Sequence, residues 1–145
     1  TSGMKRMNET LQILFGDIPY EVDPRFREVD FGIFEMHSYE ELKDTPEYQV
    51  WLAGDNDANI PPQGESGARM KERVQQAFSK IKEDTCIITH GGVIAAIMEH
   101  LFPNEGKNRY EWQPHPGCGY VIRESTYMML STKMNNDNSI DPHIH

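Results

Sequence analysis

Apolar residues recur at helical spacing in three stretches of the chain. Met4, Met7, Leu11 and Leu14 fall on one face and Gly16 follows as a stop, so the pattern predicts a helix over residues 2–15. The clearest stripe is Met70, Val74, Ala77, Phe78 and Ile81, with polar residues opposite, inside a predicted helix from about Ser66 to Lys82. The third, Val93, Ile94, Ile97, Met98 and Leu101, follows directly on His90-Gly91-Gly92. Two short helices stand between the first stripe and the second. Ser38-Tyr-Glu-Glu41 is a capping-box arrangement, and Thr45-Pro46 pairs an N-cap residue with proline at the first helical position of a helix running to about Leu52. Strand patterns are fewer. Ile18–Val22 is a short candidate ended by Asp23-Pro24, because a residue before proline is pushed out of the helical region. Thr85–Thr89 is a short continuous apolar run, as expected of a strand buried on both faces of a parallel sheet. Tyr120–Glu124 and Tyr127–Ser131 form a predicted closing hairpin, residues 54–64 a Gly/Pro-rich loop, and residues 133–145 a flexible tail.

Helices alternating with buried strands predict an α/β fold, a sheet with helices packed on its faces, although about four strands make it a thin one. The 145 residues, 37 % of them hydrophobic, suit a single domain over residues 1–132. Charge narrows the partners. Lys and Arg number 14 against 23 Asp and Glu, a net charge of −9, and so acidic a surface repels nucleic acid and anionic lipid. An anionic ligand would need a local cluster of arginines to overcome that field. No apolar run reaches the ~20 residues of a membrane span. Two cysteines, Cys86 and Cys118, fit a cytoplasmic protein with reduced thiols, and no Cys/His spacing matches a metal site.

Candidate chemistry concentrates at four places. A strand running into His90-Gly91-Gly92 and then a helix puts free N–H groups, a partial positive charge and a histidine at the edge of a sheet, where an anion binds. The plainer alternative is a core histidine bonded to backbone. Glu28 lies in Pro24-Arg-Phe-Arg-Glu-Val-Asp-Phe-Gly32, an irregular segment mixing charge and aromatics. Glu65, in Gln63-Gly-Glu-Ser66, is expected as a first-turn carboxylate that the helix dipole stabilises. Arg6, near the start of the first helix, is either a solvated charge or the guanidinium fork of a phosphate clamp.

Taken in order, Thr1-Ser-Gly-Met-Lys-Arg6-Met-Asn-Glu-Thr10, Arg27-Glu28-Val-Asp-Phe-Gly32, Gly64-Glu-Ser66 and Thr89-His-Gly-Gly92 resemble the motifs of the histidine phosphatases, the phosphoglycerate-mutase-like superfamily. The resemblance covers residues 1 to about 102 and implies a three-layer α/β/α sheet. It also implies chemistry in which one histidine attacks phosphorus, a second histidine and arginines surround the phosphoryl oxygens, and an acid protonates the leaving oxygen. Carried over by motif, His90 is the second histidine, Arg6 and Gly91 bind the phosphate, and Glu28 is the proton donor. Glu65 is then a supporting carboxylate at the pocket edge, or the alternative acid.

The family's nucleophile sits in an Arg-His-Gly motif on the first strand, and no Arg-His-Gly occurs in these 145 residues. The expectation is therefore a segment of a longer polypeptide, lacking the family's first strand and inactive by itself. Its partner would be the missing N-terminal segment or a second copy. Met36, where the family has glycine, puts the backbone after Phe34-Glu35 in question. With only 61 residues between Glu28 and His90, the chain resembles the compact phosphatase branch, which includes broad-specificity and α-ribazole-phosphate phosphatases. The implied function is hydrolysis of a small phosphorylated metabolite without cofactor or metal. A non-catalytic phosphate-binding or regulatory relative and a phosphoglycerate mutase are the alternatives. The substrate's organic part is expected to meet the loop around residues 33–62 and the Pro114-His-Pro-Gly-Cys118 turn, with His115 a rim candidate. His37 and His100 are expected as surface or packing residues, and His143 and His145 as a mobile end.

Overall fold

A computed structural model describes residues 1–54 and 57–131. Three longer helices carry the three stripes. The first, α1 (Lys5–Phe15), ends at Gly16, whose positive φ of 72° and N–H bond to the Gln12 carbonyl (2.8 Å) close the last turn. Two short helices follow. In α2 (Tyr39–Leu42) the predicted capping box is present: Glu41 N–H donates to Ser38 Oγ, and Ser38 N–H donates to Glu41 Oε2 at 2.8 Å. Helix α3 (Pro46–Ala53) begins on its proline; the Thr45 hydroxyl gives no cap and donates back to the Leu42 carbonyl instead. Helix α4 (Gly67–Ser79) stops three residues short of the predicted end, and α5 (Gly91–Leu101) has His90 as its N-cap residue. A last short helix, α6 (Arg109–Trp112), carries its own capping box from Asn108 and Glu111.

The main core is where α4 meets α5. Met70, Val74 and Ala77 from one helix and Val93, Ala96 and Ile97 from the other enclose Phe26. Phe26 sits in a short 3-10 turn, Pro24–Phe26, which Asp23 caps by accepting the Arg25 N–H. This anchors the segment that carries Glu28. A second cluster gathers Ala95, Met98 and Trp112, with Phe102, Tyr120 and Tyr127 around them, and Tyr120 donates its hydroxyl to the Trp112 carbonyl at 2.7 Å. It holds the hairpin, β1 (Gly119–Arg123) and β2 (Thr126–Leu130), antiparallel with Tyr120 opposite Met129 and Ile122 opposite Tyr127.

The sheet is smaller than expected. Among the described residues it has these two strands alone. Thr85–Thr89 joins no ladder; Thr85 and Cys86 are exposed and the next three residues are half-buried, so the doubly buried strand is not formed. Ile18–Val22 is likewise unpaired, and Ile18, Tyr20 and Val22 stay 44 %, 48 % and 50 % exposed. The physical reason is common to both. An apolar run becomes a strand only when a neighbour takes up its backbone N–H and C=O groups. The nearest approach to such pairing is Thr1, whose ammonium donates to the Glu21 carbonyl and whose own carbonyl accepts from Asp23 N–H, each at 2.9 Å. Met36 takes a left-handed φ of 65° and is 98 % exposed, a conformation that glycine adopts without strain. Residues 133–145 lie outside the described residues. No described helix is long and apolar enough to cross a membrane.

Candidate active site

His90 is the centre. The chain arrives at it extended, held by the Thr89 hydroxyl donating to the Phe26 carbonyl at 2.6 Å, and leaves as α5. His90 is 6 % exposed, and its Nε2 is hydrogen-bonded at 2.9 Å to the hydroxyl of the fully buried Ser2. Burial is the main reason its pKa lies below the ordinary histidine value; Arg6, Arg27 and Arg73 add to the lowering, and Glu28 opposes it. The imidazole is therefore neutral at neutral pH and sits among three arginines and one carboxylate.

Glu28 reaches this centre through the helix start. Its Oε2 accepts the Gly92 N–H at 3.1 Å and its Oε1 accepts the Val29 N–H at 3.0 Å. A Cβ built on Gly92 would stand 2.5 Å from Oε1, so only glycine lets the carboxylate lie against the helix. Gly91 keeps a different neighbour: a Cβ there would meet the Gln113 side chain at 2.9 Å. As first residue of the helix, Gly91 has no intrahelical acceptor for its N–H.

Arg73, on α4, organises the loop behind Glu28. Its Nη1 donates to the carbonyls of Arg25 and Arg27 at 2.6 and 2.7 Å, and its Nη2 donates to the Glu28 carbonyl at 3.0 Å. The same guanidinium forms an ion pair with Glu65, partly through Nε at 3.2 Å. Glu65 also accepts the Asp30 N–H at 3.1 Å. Ser66 is the N-cap of α4, so Glu65 precedes the cap and does not lie in the first turn, which corrects the expectation from sequence. Its carboxylate is occupied with Arg73 and the loop.

Arg6, the second residue of α1, is exposed, as is Arg27. Both act electrostatically on His90, and neither has a carboxylate within ion-pair distance among the described residues. The local arginine cluster that an anion would require in this acidic chain is thus present. His37 and His100 are exposed, and His37 pairs with Glu41 at 3.4 Å. His115 is exposed in a turn closed by the Cys118 N–H bond to its carbonyl.

On the other side of Glu28 lies a cavity of about 290 Å³, with walls from Phe31, Trp51, Pro61, Met70 and Tyr110. The loop at 33–62 contributes Trp51 and Pro61 to it, whereas nothing from 114–118 does; Gln113 is the nearest contributor in sequence. Trp51 Nε1 is buried without an acceptor among the described residues.

The structure thus brings together the predicted His90, Glu28, Arg6 and Gly91 and sets Glu65 behind them. Sequence reasoning missed Ser2, Arg27 and Arg73. Arg27 adjoins Glu28 in sequence; Arg73 lies eight residues after Glu65, beyond the three or four over which helical neighbours meet, so their pairing had no local signal. For Ser2 there was no signal, since its partner lies 88 residues away.

The family model described as "Histidine phosphatase superfamily (branch 1)" matches residues 1–137. Adenosylcobalamin/alpha-ribazole phosphatase of Escherichia coli is 23 % identical over 130 residues, covering 83 % of this chain and 64 % of that protein. Phosphoglycerate mutase-like protein 4 of Arabidopsis thaliana is 32 % identical over 117 residues, covering 74 % of this chain and 51 % of that protein. Among solved structures, a phosphoglycerate mutase from Thermus thermophilus superposes with a TM-score of 0.67 at 26 % identity, over 91 % of this chain and 71 % of the other. The chain therefore spans less than two thirds of the length of these two relatives.

Proposed function

Because this chain belongs to the histidine phosphatase superfamily, branch 1, we propose that the protein containing it hydrolyses a small phosphorylated metabolite through a phosphohistidine intermediate. One observation carries the reading: a buried, neutral His90 at a helix start, flanked by Glu28 and by the guanidinia of Arg6 and Arg27, which have no acidic partner among the described residues. In this reading the phosphoryl oxygens lie among Arg6, Arg27, His90 and the Gly91 N–H. Fixed donors aimed at developing charge lower the barrier without reorganising during the reaction. A histidine supplied from outside these 145 residues attacks phosphorus opposite the leaving oxygen, forming a P–N bond as the P–O bond breaks. His90 does not take that part, since it stands beside the transferring group, where in-line attack is not available.

Glu28 gives a proton to the departing oxygen and, as carboxylate, then takes one from the water that breaks the P–N bond. Glu28 rather than Glu65 has this role, because the Glu65 carboxylate is held by Arg73 and Asp30. The relatives include both phosphatases and phosphoglycerate-mutase-like proteins; the short connection from Glu28 to His90 supports hydrolysis over mutation. A second reading is a phosphate-binding relative without turnover, since Arg6, Arg27 and the Gly91 N–H offer an anion its donors whether or not a nucleophile is supplied.

The deciding experiment is rapid quench of the full-length protein with a labelled phosphomonoester. An acid-labile phosphoenzyme, turnover that falls at least about 100-fold in His90→Ala, and no turnover from residues 1–145 alone are expected. Glu28→Gln should slow an alkyl phosphate far more than p-nitrophenyl phosphate, whose leaving group needs no proton. Phosphate binding without any phosphoenzyme would establish the second reading instead, and a selective loss in Glu65→Gln would exchange the two glutamates.

A further inference from the structure

The cavity beyond Glu28 differs in character from the phosphate side. Gly92 and Glu28 form its inner end, and Phe31, Trp51, Pro61, Met70 and Tyr110 give it mainly apolar and aromatic walls. At about 290 Å³ it has roughly twice the volume of the ~150 Å³ apolar cavity that accommodates one benzene ring. Its aromatic wall is fixed by packing. Trp51 meets Phe31 edge-on at 5.9 Å and 83°, and is braced by Phe34 at 5.6 Å and Tyr48 at 5.7 Å.

The cations around the cavity are already matched. Lys71 bridges Asp57 at 2.9 Å and Glu99 at 3.3 Å, Arg109 pairs with Asp57, and Glu65 pairs with Arg73. Among the described residues no cation lining this cavity is left without an acidic partner, whereas Arg6 and Arg27, on the His90 side, have none. A carboxylate or second phosphate entering here would lose water and meet Glu28 and Glu99 with no spare positive charge to receive it. A flat uncharged ring would lose little and would cover the aromatic wall.

Resting on the phosphomonoesterase reading, we propose that this cavity receives the alcohol half of the substrate and selects an uncharged alcohol bearing a planar ring, against alcohols bearing a carboxylate or a second phosphate.

The test compares kcat/KM of the full-length protein for benzyl phosphate, glycerol 3-phosphate and 3-phosphoglycerate. All three are esters of primary alcohols, so leaving-group chemistry differs less than shape and charge. Benzyl phosphate should exceed glycerol 3-phosphate by about 30-fold and 3-phosphoglycerate by about 100-fold, the scale on which an apolar pocket discriminates. Trp51→Ala should cut the benzyl-to-glycerol ratio about tenfold, mostly through KM. Should that variant fail to fold, Tyr110→Lys at a 72 % exposed position offers a second measurement: by adding an unpaired cation at the cavity it should raise 3-phosphoglycerate turnover relative to benzyl phosphate. Equal or greater efficiency on 3-phosphoglycerate or glycerol 3-phosphate, with a normal phosphoenzyme, would overturn this assignment and leave the phosphatase reading intact. Failure to turn over any of the three, with no phosphoenzyme, would overturn both.

Discussion

At the scale of single residues, the neutral, buried His90 makes stability depend on pH. Its folded pKa lies below the unfolded value, so the unfolded chain takes up a proton that the folded chain refuses. The contribution is complete above about pH 6.5, the ordinary histidine value, and is lost as pH falls from there toward the folded pKa. Urea titrations of the full-length protein between pH 5 and 8 should show stability declining below about 6.5, with a smaller decline in His90→Gln. Identical slopes would remove His90 as the cause. Inorganic phosphate should raise the His90 pKa, visible in its ring proton shifts, because an anion then shares the site with the imidazolium. Gly92 separates function from stability in another way. In Gly92→Ala the new methyl would stand 2.5 Å from Glu28 Oε1, and a flexible side chain yields cheaply. Melting should change by less than about 1 kcal/mol, since alanine also favours the helix. Turnover of an alkyl phosphate should fall by about 100-fold, the usual worth of a positioned general acid.

Elements are joined here by single side chains. Arg73 ties α4 to the loop at residues 25–28 through three carbonyls and to Glu65 through an ion pair, and its side chain is 22 % exposed. Arg73→Met keeps the bulk and removes every donor, leaving those carbonyls and a carboxylate unmatched. The expected cost is about 2–3 kcal/mol, the range for charged hydrogen bonds at partly buried sites. Glu28 should lose its position as well, so an alkyl phosphate should suffer more than p-nitrophenyl phosphate. A stability loss that slows both esters equally would make Arg73 a purely structural tie. Arg73→Lys should recover little, since one ammonium cannot serve a fork of four acceptors.

For the molecule as a whole, an acidic chain with net charge −9 sets Arg6 and Arg27, which have no acidic partner among the described residues, near His90, a local positive site within a repelling field. A second global feature is apolar exposure. Ile13, Leu14 and Phe15 at the end of α1 are 84 %, 63 % and 48 % exposed, and the unpaired segments Ile18–Val22 and Thr85–Thr89 add backbone without ladder partners. Residues 1–145 produced by themselves should therefore self-associate at micromolar concentration, as unpaired extended segments and apolar patches do. Light scattering after gel filtration measures this. A monodisperse monomer with a sharp thermal transition would show that these surfaces need no cover.

The sequence by itself determined whatever is decided within a few residues along the chain. Gly16, Ser38 with Glu41, Pro46 and Ser66 placed helix ends because caps act within one turn, and the stripes of α4 and α5 named the buried faces, whereas of the α1 stripe Leu11 alone is buried. His90, Glu28, Arg6 and Gly91 were legible as candidates because each lies in a local motif, and the family resemblance, not a local pattern, put in question the backbone at Met36, which takes a φ of 65°. Tertiary structure decided the rest. Whether Thr85–Thr89 becomes a strand depends on a neighbour that no local pattern specifies. That Glu28 lies against the start of α5 while Glu65 is held on α4 depends on Gly92, 64 residues beyond Glu28, and on Arg73. The pairing of the cavity's cations arose only when Asp57, Lys71, Glu99 and Arg109 met from four separate parts of the chain. Caps and stripes are written in neighbouring residues; pairing of charges, ladders and carboxylates is written in distances that exist only after the chain has closed on itself.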